Sequence, residues 1–233
     1  MISRFAPVIF VLLWSTGFVG AKYILPYAEP FVFLTIRYAL ATLFLIGIAA
    51  LLREPMRLTK DQVIQSIQVG LFLQVIYIGG VFYAVHLGVS AGVTSVVVST
   101  QPILVSILAV RFLNEPLGLR KIIGLLLGFS GVMLLLLPKV FSGNFALQFS
   151  RSGVIAAVIA LIGTTTGYLL QKKGGTDVPF LPGTTVQFAI ATLMFSMAAT
   201  ATETWSVKVT SHFLLALGWI VIALSKIGRA HAE

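Results

Sequence analysis

The residues available for catalytic chemistry are few and scattered. The chain of 233 residues contains three histidines, at positions 86, 212 and 231, and no cysteine. Its acids are Glu29, Glu54, Asp61, Glu115, Asp177, Glu203 and Glu233. A hydrolytic or metal centre needs paired acids, a histidine cluster, or a nucleophile beside its base, and none of these constellations is present. Without cysteine, disulfides and thiolate chemistry are excluded as well. The sequence therefore predicts no catalytic residue, no metal and no cofactor, and a protein that is not an enzyme. What remains is a set of polar residues inside long apolar runs, suited to holding a small molecule. They are Trp14, Ser15, Thr16, Arg37, Gln74, Tyr77, Gln101, Thr165 and Gln187.

Arg37 is the one charge well inside an apolar run, about six residues or about 9 Å from its outer end. An ionisable group at that depth is costly and faces a cavity or a partner, which fits a ligand for an anionic or carboxylate-bearing substrate. A guanidinium on a long stem can also snorkel to the interface, and the sequence leaves both readings open. Trp14, Ser15 and Thr16, followed by Gly17, put hydroxyls, a flat ring and a flexible point in the middle of the first run. Thr164, Thr165, Thr166 and Gly167 do the same in the sixth. Gly163 with Gly167, and Gly124 with Gly128, are small-xxx-small pairs that serve helix packing equally well. Gln74 and Gln101 must find hydrogen-bond partners and so point into the protein. Gly17, Pro102 and Gly167 are the candidate hinges, Pro102 because it frees a carbonyl one turn earlier. Glu115, beside Arg120 and Lys121, is read as a structural acid. No carboxylate lies within a run, so a titrating group for proton coupling is sought elsewhere, for example at His86.

The elements that position these residues are legible from hydropathy. Apolar residues make up 58% of the chain and charged residues 10%, against roughly 25% charged in soluble domains. Mean hydropathy is +1.02. A soluble globule or a disordered chain is excluded, and a lipid bilayer is the expected surrounding. Crossing a hydrocarbon core of roughly 30 Å takes about 20 apolar residues. Runs at 5–24, 31–52, 63–85, 91–112, 122–137, 153–170 and 183–201 qualify, with a partial one at 213–224. Strict alternation is absent, which argues against a barrel. The predicted fold is all-α, a polytopic membrane helix bundle.

The net charge is +9, but the basic residues sit in short clusters between runs, which marks membrane orientation rather than a nucleic-acid partner. With the N-terminus cytoplasmic, eleven basic residues fall inside, including Arg53, Arg57 and Lys60, and four outside: Lys22, Lys139, Arg151 and Lys208. A multi-pass protein of the plasma (inner) membrane is expected. Val19-Gly20-Ala21 resembles a signal-peptide cleavage site, but the same run takes part in an internal repeat.

Offset by 150 residues, Ala6, Val8, Ile9, Thr16, Gly17 and Lys22 match Ala156, Val158, Ile159, Thr166, Gly167 and Lys172. In the same register Thr35, Ala39 and Ala41-Thr42-Leu43 match Thr185, Ala189 and Ala191-Thr192-Leu193. Arg37 falls opposite Gln187, also polar. Five runs separate the copies, an odd number, so the second enters the membrane from the opposite side. Inverted repeats of this kind give secondary transporters two mirror-related conformations around a midplane site. A channel, or a membrane protein that transports nothing, is the competing reading.

Trp14-Ser15-Thr16-Gly17-Phe18-Val19-Gly20-Ala21-Lys22, Ile36-Arg37-Tyr38-Ala39-Leu40-Ala41, Gln101-Pro102-Ile103-Leu104 and Leu113-Asn114-Glu115-Pro116-Leu117 resemble, in order and spacing, the EamA-type drug/metabolite transporter superfamily. The resemblance covers about residues 1–225. It implies two inverted five-helix units, ten helices in all, and export or exchange of small metabolites such as amino acids. On that basis residues 1–140 form a first EamA-like repeat, 141–225 a partial second repeat of about three helices, and 226–233 a polar tail unlike the family. About eight of ten spans are then present. The run 213–224 is 12 residues, or about 18 Å, too short to cross. The chain is expected to be truncated and compromised in transport, since helices nine and ten would face the fourth span.

Overall fold

A computed structural model describes residues 18–113, 118–141, 150–174 and 178–227. Trp14, Ser15, Thr16, Gly17 and Glu115 lie outside the described residues. A helical segment 18–24 leads into α1 (Pro30–Leu52), and α2 covers Lys60–His86. Then come α3 (Ala91–Val98), α4 (Gln101–Leu113), α5 (Leu119–Phe141), α6 (Arg151–Lys173), α7 (Phe180–Thr202) and α8 (Ser211–Ile227). Among the described residues there is no strand, only an isolated antiparallel bridge between Ala28 and Val207.

Local chemistry sets the helix ends. Proline at the first position of α1 gives up an N–H that a helix start leaves unpaired anyway. Arg53 closes α1 in the left-handed conformation, φ 54°. α2 opens on a capping box: Gln62 N–H donates to Thr59 Oγ1 at 3.3 Å, and Thr59 N–H to Gln62 Oε1 at 2.9 Å. Ser90 caps α3 through Val93 N–H. The chain breaks at Ser99 and Thr100, just before Pro102 in the first turn of α4, so α3 and α4 share the apolar length Ala91–Phe112.

Among the described residues, five lengths are long and apolar enough to cross a membrane: α1, α2, α3 with α4, α6 and α7. They coincide with the second, third, fourth, sixth and seventh predicted runs. α5 occupies the fifth run and α8 the eighth. One feature was not predicted. The middle of α2, Leu71–Ile78, is wound as a π-helix, which hydropathy cannot distinguish from an α-helix.

α1 and α7 pack antiparallel along their length. Phe31 and Val32, at the start of α1, hydrogen-bond Glu203 at the end of α7. At the other end Leu45 and Ala49 cluster with Leu181. The main core lies between α1, α2, α6, α7 and α8, around Phe33, Tyr38, Phe82, Ala160, Phe195 and Phe213. α2 and α6 approach through glycines. Gly163 of α6 lies against Ile76 and Tyr77, Gly167 against Leu73 and Phe72, and Gly80 of α2 against Ala156 and Ala160. Large apolar side chains such as Leu43, Leu127, Ile162 and Leu215 face outward, as lipid contact requires.

Candidate functional site

The polar centre of the bundle is built on α1 and the π-wound part of α2. The π segment closes its hydrogen bonds over five residues instead of four, which disturbs the regular ladder, and such segments recur at functional positions. It carries Gln74 and Tyr77. Tyr38 of α1 donates its hydroxyl to Gln74 Oε1 at 2.8 Å. The Tyr38 ring stacks on Phe195 at 5.7 Å and meets the edge of Phe188 at 5.3 Å. The rings fix the phenol, and the phenol fixes the amide.

Arg37 is buried within protein, 8% exposed. Its Cζ lies 4.9 Å from the Tyr38 ring centroid, within cation–π range. Among the described residues it forms no ion pair and no hydrogen bond. Among the described residues no buried side-chain nitrogen or oxygen is left without a partner, so the guanidinium nitrogens retain accessible surface. A guanidinium with free donors and no acid beside it is chemically able to pair with an anion.

The other predicted residues are distributed around this centre. Tyr77 is buried in the same core as Tyr38. Thr165 is buried on α6, its hydroxyl donated to Leu161 O at 2.7 Å, which leaves the oxygen only as an acceptor. Gln187 is half-buried on α7, its backbone seated against Gly70; a Cβ on Gly70 would fall 2.9 Å from Gln187 Cα. Gln101 is half-buried at the head of α4, and Pro102 beside it is exposed at the helix break. Gly167 is packed against Leu73 and Phe72, whereas Gly124 and Gly128 meet nothing within 4 Å. Tyr38 was not among the predicted site residues. A phenol in an apolar run next to Arg37, needing a partner for its hydroxyl, was the available signal.

The EamA-like transporter family model matches residues 4–137. The chain is 26% identical over 226 residues to the uncharacterized transporter YvbV of Bacillus subtilis, an alignment covering 91% of this chain and 70% of that protein. An uncharacterized transporter of Archaeoglobus fulgidus is 29% identical over 169 residues, 70% of this chain and 56% of its own. A chloroplastic WAT1-related protein of Arabidopsis thaliana is 33% identical over 159 residues, covering 65% of this chain and 37% of that one. The chain thus spans part of each relative's length. The family match runs over more than half of the chain and takes in α1 to α4, with Arg37, Tyr38, Gln74 and Tyr77 inside membrane-length helices. The protein is a multi-pass membrane protein and belongs to the EamA-like transporter family, whose members move solutes and are not enzymes.

Proposed function

We propose that the protein is a secondary transporter, an exporter or exchanger of small metabolites such as amino acids, working by alternating access between two inverted halves. The observation that carries this reading is the antiparallel pairing of α1 with α7, two 23-residue helices that start 150 residues apart. One equivalent pair meets directly, and other contacts recur between equivalent positions. Tyr38 touches its own counterpart Phe188. Tyr38 stacks on Phe195, and in mirror image Phe188 packs against the cluster that holds Leu45, the counterpart of Phe195. Phe31 stacks on Phe195; Leu181, its counterpart, shares the cluster with Leu45. Thr35 and Thr185 donate to the carbonyls four residues earlier at 2.8 and 2.8 Å, and Thr42 and Thr192 do so at 2.7 and 2.9 Å. Contacts that map onto themselves are what a two-fold axis in the membrane plane produces, and such an axis supports two mirror-related states of equal packing quality.

In this reading Arg37 holds the carboxylate of the substrate, and the Tyr38–Gln74 pair offers polar atoms one residue and one helix away. Thr165, Gln187, Gln101 and Tyr77 bound the path, with Trp14, Ser15 and Thr16 contributed by the first span. Pro102, Gly17 and Gly167 are the points where helices bend or slide. The N-terminus is cytoplasmic in the plasma membrane, which puts residues 203–210 outside.

The test is counterflow in proteoliposomes loaded with a labelled amino-acid mixture. Saturable flux stimulated by substrate on the opposite side is expected. Arg37→Gln is expected to weaken apparent affinity about tenfold or more, since a hydrogen bond to a charged group contributes about 1.5–3 kcal/mol. Flux that grows linearly with concentration and ignores substrate on the other side would refute alternating access.

A further inference from the structure

At the end of the bundle where α1 begins and α7 ends, two carboxylates exchange partners. Glu203, the residue after α7, accepts Phe31 N–H at 2.9 Å and Val32 N–H at 2.7 Å, satisfying amides that the start of α1 leaves unpaired. Glu29, the residue before α1, accepts Thr204 N–H at 3.0 Å, Ser206 N–H at 3.2 Å and the Thr204 hydroxyl at 3.2 Å. Between them Trp205 takes a left-handed conformation, φ 60°, strained for a bulky residue. That bend turns neighbouring amides toward one anion, the arrangement known as a nest. Lys208 N–H donates to Tyr27 O at 2.7 Å, and Ala28 bridges Val207. Desolvation alone would raise the Glu29 pKa, but hydrogen bonds from the Thr204 and Ser206 amides, the Thr204 hydroxyl and the Trp205 amide together hold it below its ordinary value. No cation among the described residues pairs with either carboxylate.

The repeat makes this arrangement one-sided. At the opposite end of the α1–α7 pair the positions equivalent to Glu29 and Glu203 are Pro179 and Arg53. Neither side chain can accept a hydrogen bond from an amide at the start of α7. Equivalent helix ends thus carry different chemistry, and among the described residues a carboxylate clasp is seen at one end of the pair.

We propose that Glu29 and Glu203 form a latch that holds shut one mouth of the transport path, on the side of residues 203–210, and that both are released each time this mouth opens. The latch rests on the reading that the two halves rock about the α1–α7 pair. It requires that the contacts break reversibly in the folded protein, as a static joint would not.

The chain has no cysteine, so paired thiols can be introduced cleanly. Ala28→Cys with Val207→Cys places them across the bridge, where facing Cα atoms lie about 4.5–5.5 Å apart, a separation a disulfide accommodates. In liposomes, copper phenanthroline is expected to cross-link this pair rapidly, and the cross-link to abolish counterflow until a reductant is added. Glu203→Gln or Glu29→Gln is expected to speed labelling of a single Ala28→Cys by a membrane-impermeant maleimide about fivefold or more, with Glu203→Asp in between. Thr204→Ala, which removes only an exposed hydroxyl, is the milder variant if a Gln substitution impairs folding, with about a twofold effect expected. Labelling that is indifferent to all four substitutions, or cross-linked protein that transports undiminished, overturns the latch. Labelling does not depend on flux, so accelerated labelling in a protein with no counterflow in any form retains the latch and overturns the proposed transport.

Discussion

Replacing Gly163 by alanine tests the seam that holds the π-wound part of α2 in place. A Cβ there would lie 2.6 Å from Ile76 Cγ2, 3.0 Å from Ile76 Cβ and 3.0 Å from the backbone nitrogen of Tyr77. The last two atoms cannot rotate away, so α2 itself must shift. Overpacking of this kind costs about 1–3 kcal/mol. Against it stands the gain from restricting the unfolded chain, about 0.4–1 kcal/mol for glycine to alanine in a helix. Gly124→Ala isolates that gain, because nothing lies within 4 Å of its Cβ position. The two variants should therefore differ in stability by about 1–3 kcal/mol, with Gly124→Ala at or above the parent and Gly163→Ala below it. The assay is reversible unfolding in mixed micelles of rising SDS fraction, followed by tryptophan emission. Equal midpoints for the two variants would refute the packing on which the placement of Gln74 and Tyr77 depends.

Further outcomes follow from single contacts. Tyr38→Phe should cost about 0.5–1.5 kcal/mol in the same assay by removing the bond to Gln74, and Gln74→Leu added to it should cost less than Gln74→Leu alone; strict additivity would show that the bond contributes nothing. With Trp14 and Trp219 replaced by Phe, the emission of Trp205 reports the latch. The Glu29 carboxyl is held below its ordinary value, so the stability it supplies is fully present above the ordinary carboxylate range of about 4.3 and is lost as pH falls through the lower value in the latched state. Emission is thus expected to stay flat from pH 8 to about 5 and to change only in stronger acid. The titratable or charged neighbours on the converging elements are Lys22, Tyr27, Tyr83, His86, Glu203, Lys208 and His212; a transition between about pH 7 and 6 would assign control to a histidine instead. Single cysteines replacing Lys139 and Arg151 should react with an impermeant maleimide from the face opposite to one replacing Arg57. Reaction from the same face would remove the inversion.

Hydropathy alone located the helices, because a segment that must satisfy its own backbone in lipid has one solution, and its length is set by the bilayer. α1, α6 and α7 fall within a few residues of the predicted runs for that reason. The 150-residue offset was visible as identities such as Thr35 with Thr185, and it put Arg37 opposite Gln187; that Tyr38 meets Phe188 came only from the structure. The sequence also required that Gln74 have a partner, since an unpaired amide in lipid is too costly to persist.

Which partner each polar group takes was decided by tertiary structure. Tyr38 reaches Gln74 because α1 packs alongside α2, Phe31 and Phe33 meeting Tyr83 and Phe82 on the same side, and a π-wound stretch leaves no trace in hydropathy. Glu29 and Glu203 read in the sequence as acids at helix ends. They become a clasp because α1 and α7 lie antiparallel, which brings together amides and carboxylates 171 to 177 residues apart. Local sequence sets how far each helix runs and which atoms it must leave unsatisfied at its ends; only packing of the whole chain determines which distant group comes near enough to satisfy them.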